Sequence, residues 1–292
     1  MTALAPDPEF LTVRELAELL RIKERKVYDL AASGEVPCTK VTGKLLFPAR
    51  DVRAWIAAGA IGGSDSGAAQ SPRPSVFLGS HDPLLDWALR QARTGLATYF
   101  ESSGDGLTRF AAREGVATGL HVFEDGAWNV AAAQRAGGAA VLLAFATRRR
   151  GLVTLPGADI AGLADLRGRR FAPRQPGSGT ESVFAHLLTE AEIPADAIDT
   201  ADPTRSEGDA VTAIQQGTAE ATFGLEALAV AHGLAFVPLI EERFDLLVDR
   251  AAYFDPPLQA LFNFCRTGAF REHAARLGGY DVSDAGTVRW NG

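Results

Sequence analysis

The chain has 292 residues, of which 47% are hydrophobic and 22% charged, with a net charge of −7. That length favours two domains, and the composition is ordinary for a soluble globular protein. No apolar run approaches the roughly 20 residues a bilayer-crossing helix needs, and two distant cysteines, Cys38 and Cys265, argue against a disulfide scaffold or a zinc site.

Residues 1–10 include Asp7, Glu9 and two prolines and have no basic stretch, which is unlike a secretory leader and predicts a cytoplasmic protein. The net acidity would argue against nucleic-acid binding, but its distribution reverses the argument. Residues 21–50 carry seven Lys or Arg against three Asp or Glu, a net +4, which leaves −11 for the rest. Such asymmetry suits one nucleic-acid-facing module on an acidic protein.

Thr12-Val13-Arg14-Glu15 reads as a capping box opening a helix, with Leu16, Leu19 and Leu20 on one face. A turn at Arg21-Ile22 leads to a second helix from about Lys23, with Val27, Leu30 and Ala31 inward. Ser33-Gly34 ends it, the glycine suiting a left-handed cap. Two short helices across a tight turn make a helix-turn-helix, and Lys23, Arg25, Lys26 and Tyr28 fall on or near the exposed side of the second. A hairpin follows, with Lys40 and Val41, a turn at Thr42-Gly43-Lys44, then Leu45 to Pro48. Asp51 is expected to cap a third helix that turns Val52, Trp55 and Ile56 into the same core.

The stretch from Leu11 to Ile56 resembles the excisionase-type winged helix-turn-helix: its opening Leu-Thr-Val, Val27-Tyr28, Ser-Gly-Glu-Val-Pro, the glycine-basic turn and the closing Asp-Val-Arg-Ala-Trp-Ile occur in that order. The resemblance implies that Arg25, Lys26 and Tyr28 contact the major groove of double-stranded DNA and Lys44 the backbone beside it. One such module offers few phosphate contacts, so a homodimer on two half-sites is expected.

Residues 59–74 are rich in Gly, Ala, Ser and Pro and read as a linker between a first domain at 1–58 and a second at 75–292. The second domain alternates strands and helices, which predicts a largely parallel α/β architecture. Expected strands are 75–79, 97–100, 118–123, 151–154, 170–173, 221–223 and 235–239. Expected helices are 83–93, 107–113, 181–191, 210–216 and 226–232. Three strand-to-helix junctions are small and polar: Gly79-Ser80-His81-Asp82, Ser102-Ser103-Gly104, and Gln175 to Thr180. Each can present backbone N–H groups and hydroxyls at a helix start, a geometry that suits a small oxyanion.

"FLGSHDPLLDWAL", "ATGLHVFEDGAWN", "FAPRQPGSGTESVFAHLLTEAEI" and the segment from Ala213 to Val248 resemble the periplasmic-binding-protein-like domain of molybdate-type regulators. The resemblance implies a two-lobed, type 2 binding-protein fold behind the winged helix-turn-helix. The first lobe would take 75–147 and the C-terminus, the second 151–240, with crossovers near 144–151 and 238–249 as the hinge. It further implies that Ser80 with the His81 amide, Ser102 or Ser103, and Ser178, Gly179 and Thr180 line a cleft for a small-molecule effector, molybdate or tungstate first. Arg174 and His121 are further candidates.

The sequence departs from that family at two places. Glu181 follows Gly-Ser-Gly-Thr where a basic residue is common, and the segment before Ala210, where a polar Ser/Thr-His pair is usual, reads Arg205-Ser206-Glu207-Gly208-Asp209. An acid about 4 Å from a bound anion costs around 4 kcal/mol at an effective dielectric of about 20, so a small ligand bearing a cation or several hydroxyls stays open beside the oxyanion. No Ser-His-Asp order, zinc-protease, phosphate-loop or dinucleotide pattern appears, and the five histidines do not cluster. A ligand-responsive regulator that is not an enzyme accounts for both domains, with an enzyme on the binding-protein fold or a ligand-blind scaffold as the other readings.

Overall fold

A computed structural model describes residues 9–20, 22–41, 43–58 and 72–292, so Arg21, Thr42 and most of the expected linker lie outside the described residues. The chain divides into two compact units at Pro72/Arg73.

In the first unit, β1 (Phe10–Leu11) precedes α1 (Val13–Leu20) and α2 (Glu24–Ala32). The wing is β2 (Thr39–Val41) and β3 (Lys44–Pro48), and α3 (Ala49–Ala58) follows at once. The expected capping box forms: Glu15 N–H donates to Thr12 Oγ1 at 3.3 Å, and Thr12 N–H donates to Glu15 Oε2 at 2.8 Å. After α2, Gly34 takes a φ of +71° while Glu35 N–H returns to the Leu30 carbonyl at 3.0 Å, which closes the helix end. Leu16, Val27, Phe47 and Val52 are wholly buried in one small core, at about 1.5–3 kcal/mol of burial each.

Three sequence expectations fail here. Leu19 and Ile56 are 52% and 40% exposed. Ala17 takes the inward place beside Leu16, which rotates Leu19 out; Val52 and Trp55 fill the core from α3. That helix starts at Ala49, so Asp51 sits within its first turn rather than capping it, a place that still suits an acid beside the helix dipole.

The second unit opens with β4 (Val76–Gly79), α4 (Pro83–Gln91), β5 (Ala97–Phe100), α5 (Ser103–Ala111) and β6 (Ala117–Leu120). A two-stranded hairpin, β7 (Phe123–Glu124) with β8 (Ala127–Trp128), and α6 (Val130–Ala136) lead to β9 (Ala140–Thr154). Then come β10 (Arg170–Ala172), α7 (Gly179–Glu190), β11 (Asp199–Thr200), α8 (Glu207–Gln215), β12 (Ala221–Leu225) and α9 (Glu226–Ala231). The last elements are β13 (Ala235–Asp249), α10 (Pro256–Cys265), α11 (Gly268–Leu277), β14 (Tyr280–Asp281) and β15 (Val288–Asn291).

The main sheet runs β11-β10-β12-β9-β13-β6-β4-β5, with β14 and β15 also paired to β9. The expectation of a largely parallel sheet is corrected. β4 pairs in parallel with β5 and β6, and β10 with β11 and β12, but β9 and β13 run antiparallel to each other and to their other neighbours. In each lobe the first strand lies between the second and third, and a strand crossing from the other lobe follows the third. This is the type 2 binding-protein arrangement.

β9 and β13 have 15 residues each and reach about 50 Å, long enough to run through both lobes. The expected strands at 151–154 and 235–239 are only their ends within one lobe. The expected hinge segments, 144–151 and 238–249, are their middles and far ends. Register shifts at Pro238/Ile240 and Phe244/Asp245 bend the pair where it passes between lobes. The core of the first lobe is built on Phe77, Leu84, Phe145, Phe244 and Phe270, that of the second on Leu152, Phe171, Val183 and Phe223.

Candidate functional site

In the first unit, Lys23, Arg25, Lys26, Tyr28, Lys40 and Lys44 are all exposed. Tyr28, Lys40 and Lys44 line one groove of about 550 Å³ between the start of α1, α2 and the wing, together with Thr12, Arg14 and Glu24. Arg25 and Lys26 stand on α2 but off that groove. Lys23 is the N-cap of α2 and makes no side-chain cap bond.

In the second unit, the strand ends and helix starts bring most of the expected cleft residues together. Ser80 follows β4, and its Oγ lies 2.8 Å from Ser103 Oγ. Ser102 spends its hydroxyl capping α5, accepting from Asp105 N–H at 3.1 Å, so Ser103 is the serine that faces the cluster. Ser103 Oγ accepts from His121 N–H at 3.1 Å. His121 stands just past β6 because Asn129 clamps the chain there. The Asn129 Oδ1 accepts from Val122 N–H at 2.7 Å, and Asn129 N–H donates to the Val122 carbonyl at 2.8 Å. The expected strand to residue 123 therefore breaks at Leu120.

The second lobe meets this group through α7. Ser178 caps that helix, accepting from Glu181 N–H at 3.2 Å. Gly179 packs on the backbone and ring of His121. Thr180 Oγ1 donates to Glu207 Oε1 at 3.3 Å. Arg174 donates through Nη1 to the Thr204 carbonyl at 2.8 Å, while its Nε has no hydrogen-bond partner among the described residues. The His81 ring turns away, exposed and edge-on to Phe100.

Sequence reasoning missed the charged residues behind these groups. Arg148 and Arg150 are two apart on β9, share one face of the strand, and are wholly buried. Arg149 points the other way and pairs with Glu226 at 2.7 Å. Glu242 on β13 receives Arg148 Nε at 2.9 Å and Arg150 Nε at 2.8 Å on one oxygen, and His121 Nδ1 on the other. Arg148 Nη1 also meets Asp82 at 2.7 Å, Tyr280 donates to the same Asp82 oxygen at 2.7 Å, and Arg150 Nη2 lies 2.7 Å from Glu207. The cluster thus ties the first lobe, both crossing strands and the second lobe together.

Electrostatics follow from that packing. Burial alone would raise the Glu242 carboxyl, but Arg148, Arg150 and His121 overcome it and hold the group well below its ordinary 4.5. Burial lowers His121 below its ordinary 6.5 against the opposing pull of Glu242. Burial, reinforced by Asp82, pushes the Tyr280 phenol well up. Burial also works to raise Glu207, yet Arg150 and Arg148 bring it below its ordinary value. The acid that sequence alone sets against an anion is therefore held ionised and paired with Arg150. Buried ion pairs are costly and their net stabilisation small, which makes this cluster a candidate functional region.

A two-lobed, type 2 binding-protein domain behind a winged helix-turn-helix is the class that this fold defines. Residues 87–266 match the PBP superfamily domain, more than half of the chain, and the protein belongs to that family; residues 10–60 match a helix-turn-helix domain of excisionase type. The chain is 24% identical over 300 residues to the uncharacterized protein YvgK of Bacillus subtilis (strain 168), covering 95% of this chain and 96% of that one. An uncharacterized protein from the ferredoxin 2Fe-2S gene 5' region of Clostridium pasteurianum is 26% identical over 76 residues, 26% of this chain and 67% of that one.

Among solved structures, a Clostridium perfringens protein described as a phosphate ABC transporter substrate-binding protein, with bound phosphate, superposes with a TM-score of 0.55 at 12% identity, over 71% of this chain and 99% of that one. An ABC-type phosphate transport receptor from Vibrio cholerae gives 0.50 at 13% identity, over 71% and 98%. At those identities the likeness shows the fold alone. Helix-turn-helix plus binding-protein domain fits a ligand-sensing, DNA-binding regulator, and no helix among the described residues is long and apolar enough to cross a membrane.

Proposed function

We propose that this chain is a one-component transcriptional regulator that acts in the cytoplasm as a homodimer, and whose affinity for a duplex operator changes when a small oxyanion binds between its two lobes. The observation that carries the reading is the approach of the α7 start in the second lobe to His121 in the first, whose N–H is held by Ser103 at the start of α5. Ser80, Ser103 and His121 stand on one side, Gly179 and Thr180 on the other. Hydroxyls and amides at helix starts suit a compact anion. Molybdate and tungstate head the effector panel from the sequence resemblance, and the phosphate-bound structure and the phosphate transport receptor of the same fold add phosphate to it. Effector binding and operator binding are then linked, each changing the other by the same coupling energy. Both domain families are DNA-binding and ligand-binding rather than catalytic, so the cleft is read as a sensor's.

A second reading, a small organic acid, has one observation in its favour. A small cavity of about 20 Å³, room for about one water, is lined by Phe171, Phe184 and Phe223 beside Arg174, Thr180 and Glu181, so an apolar wall adjoins the candidate anion-binding groups.

Thermal unfolding with molybdate, tungstate, phosphate, sulfate and small organic acids tests both. A true effector at a hundred times its dissociation constant adds about 2.7 kcal/mol. A panel in which nothing shifts the transition removes the sensor reading. Sedimentation of the full chain, alone and with duplex DNA, tests the dimer.

A further inference from the structure

Glu207 stands where an anion is expected to be repelled, yet it is itself held as an anion would be. Its Oε1 lies 2.7 Å from Arg150 Nη2 and accepts from Thr180 Oγ1 at 3.3 Å. A guanidinium and a hydroxyl at a helix start are the donors an oxyanion uses. The arginine has capacity beyond its fixed partner. Its Nε goes to Glu242, which is already shared with Arg148 and His121, and Arg150 Nη1, buried, has no hydrogen-bond partner among the described residues. The Arg150 side chain is 0% exposed and that of Glu207 21%, and Glu207 Oε2, like Arg150 Nη1, is buried with no hydrogen-bond partner among the described residues, so both halves of the pair hold unused hydrogen-bonding capacity.

The backbone under Glu207 does not depend on its side chain. Ser206 and Asp209 form a capping box at the start of α8, with Asp209 N–H on Ser206 Oγ at 3.0 Å and Ser206 N–H on Asp209 Oδ2 at 3.0 Å. The Glu207 carboxylate can leave Arg150 by side-chain rotation while the helix start stays formed.

We propose that Arg150 and Thr180 form the charge-bearing subsite for the effector's oxyanion group, and that Glu207 is the chain's own anion in that subsite, displaced when the effector enters. The inference rests on the oxyanion reading above and names its anchor. The ligand class is a compact oxyanion group, carboxylate or tetrahedral, small enough to replace a carboxylate on one guanidinium edge and one hydroxyl. Glu207 then sets the affinity, because every binding event breaks its pair with Arg150. If Glu207 were a brace fixing α8 to the crossing strands, its removal would leave anion affinity unchanged or weaker.

Titration calorimetry of the full chain with phosphate, molybdate, tungstate, sulfate and acetate separates these cases, with circular dichroism melts to verify folding. Glu207→Gln keeps the Thr180 contact and removes the charge. It is expected to tighten the anion that binds the wild type by about tenfold or more, or to reveal binding that the wild type lacks. Arg150→Lys is expected to weaken binding by about tenfold, since a lysine cannot present the planar fork. Should Arg150→Lys not fold, Glu207→Gln decides alone. An anion that binds wild type and Glu207→Gln equally, or the variant more weakly, overturns this inference and leaves the oxyanion reading standing. Binding of no panel anion to either protein overturns both.

Discussion

Gly179 lies so close to His121 that a methyl group on it would stand 2.8 Å from the His121 carbonyl oxygen and 3.0 Å from Cε1. The first residue of α7, in the second lobe, thus needs a bare backbone to rest on the end of β6 in the first. Gly179→Ala pushes against a carbonyl held by its own strand end, so the lobes cannot meet at the same distance. Helix propensity favours the alanine, so the isolated lobe keeps its stability. The expected result is an effector affinity weaker by about tenfold or more with an unchanged melting temperature without effector. Calorimetry checks the first, and small-angle scattering with and without effector checks whether compaction is lost. Normal compaction in Gly179→Ala would mean that this contact does not limit closure.

Arg73 begins the second unit and fixes where the linker enters it. Its Nε meets Asp249 Oδ2 at 2.8 Å, its guanidinium donates to the Phe110 and Gly115 carbonyls, and it lies 4.3 Å over the Phe110 ring. Only 7% of the side chain is exposed. Burial lowers its pKa while Asp249 opposes that shift. Arg73→Ala leaves Asp249 in a half-closed site without its cation, a loss of about 3–5 kcal/mol. Calorimetric unfolding should show the transition of the second unit moving down while that of the first stays in place.

The buried cluster also sets an acid limit. The folded His121 value lies below 6.5, so the unfolded chain binds the extra proton as pH falls through that region, and stability is lost there. His273, lowered by burial and by Arg276, adds in the same direction. The folded Glu242 value lies well below 4.5, so its contribution is complete above that pH and is lost as pH falls toward the folded value. Melting temperature is therefore expected to fall in two stages on acidification, the first starting below 6.5 and the second below 4.5. His121→Gln should shrink the first stage and spare the second. A melting temperature that rises as pH drops from 7 to 5 would sink the assignment of neutral, buried His121.

Local patterns made the first unit and the helix starts legible. Thr12 and Glu15, Ser33-Gly34, and the serines at 80, 102, 103 and 178 announce caps and junctions, and each stands at one. The crossing strands were hidden for a physical reason. A strand covered on both faces shows no alternation, and Arg148-Arg149-Arg150 breaks what apolar run there is. Those same arginines were the available signal. Three consecutive cations in an otherwise apolar stretch, matched by Glu241-Glu242 further along, call for a buried partner. Which carboxylate each one meets depends on the Arg148–Glu242 register, which spans 94 positions of sequence.

The basic face of the first unit gives the last prediction. Lys23, Arg25 and Lys26 crowd the start of α2, while Lys40 and Lys44 of the wing line the groove that Tyr28 of α2 also lines. If α2 enters the major groove and the wing follows the backbone, the two sets act differently. Lys44→Ala removes one phosphate contact, so binding should weaken evenly across sequences, and the slope of log affinity against log salt should fall by about 1. Arg25→Ala with Lys26→Ala removes groups that reach base edges as well, so it should cost about 1–3 kcal/mol per base contact and relax sequence choice. Fluorescence anisotropy on selected and scrambled duplexes at several salt concentrations separates the two. Equal losses on both duplexes for the Arg25/Lys26 variant would mean that α2 grips phosphates only, and that sequence is read by some other part of the chain.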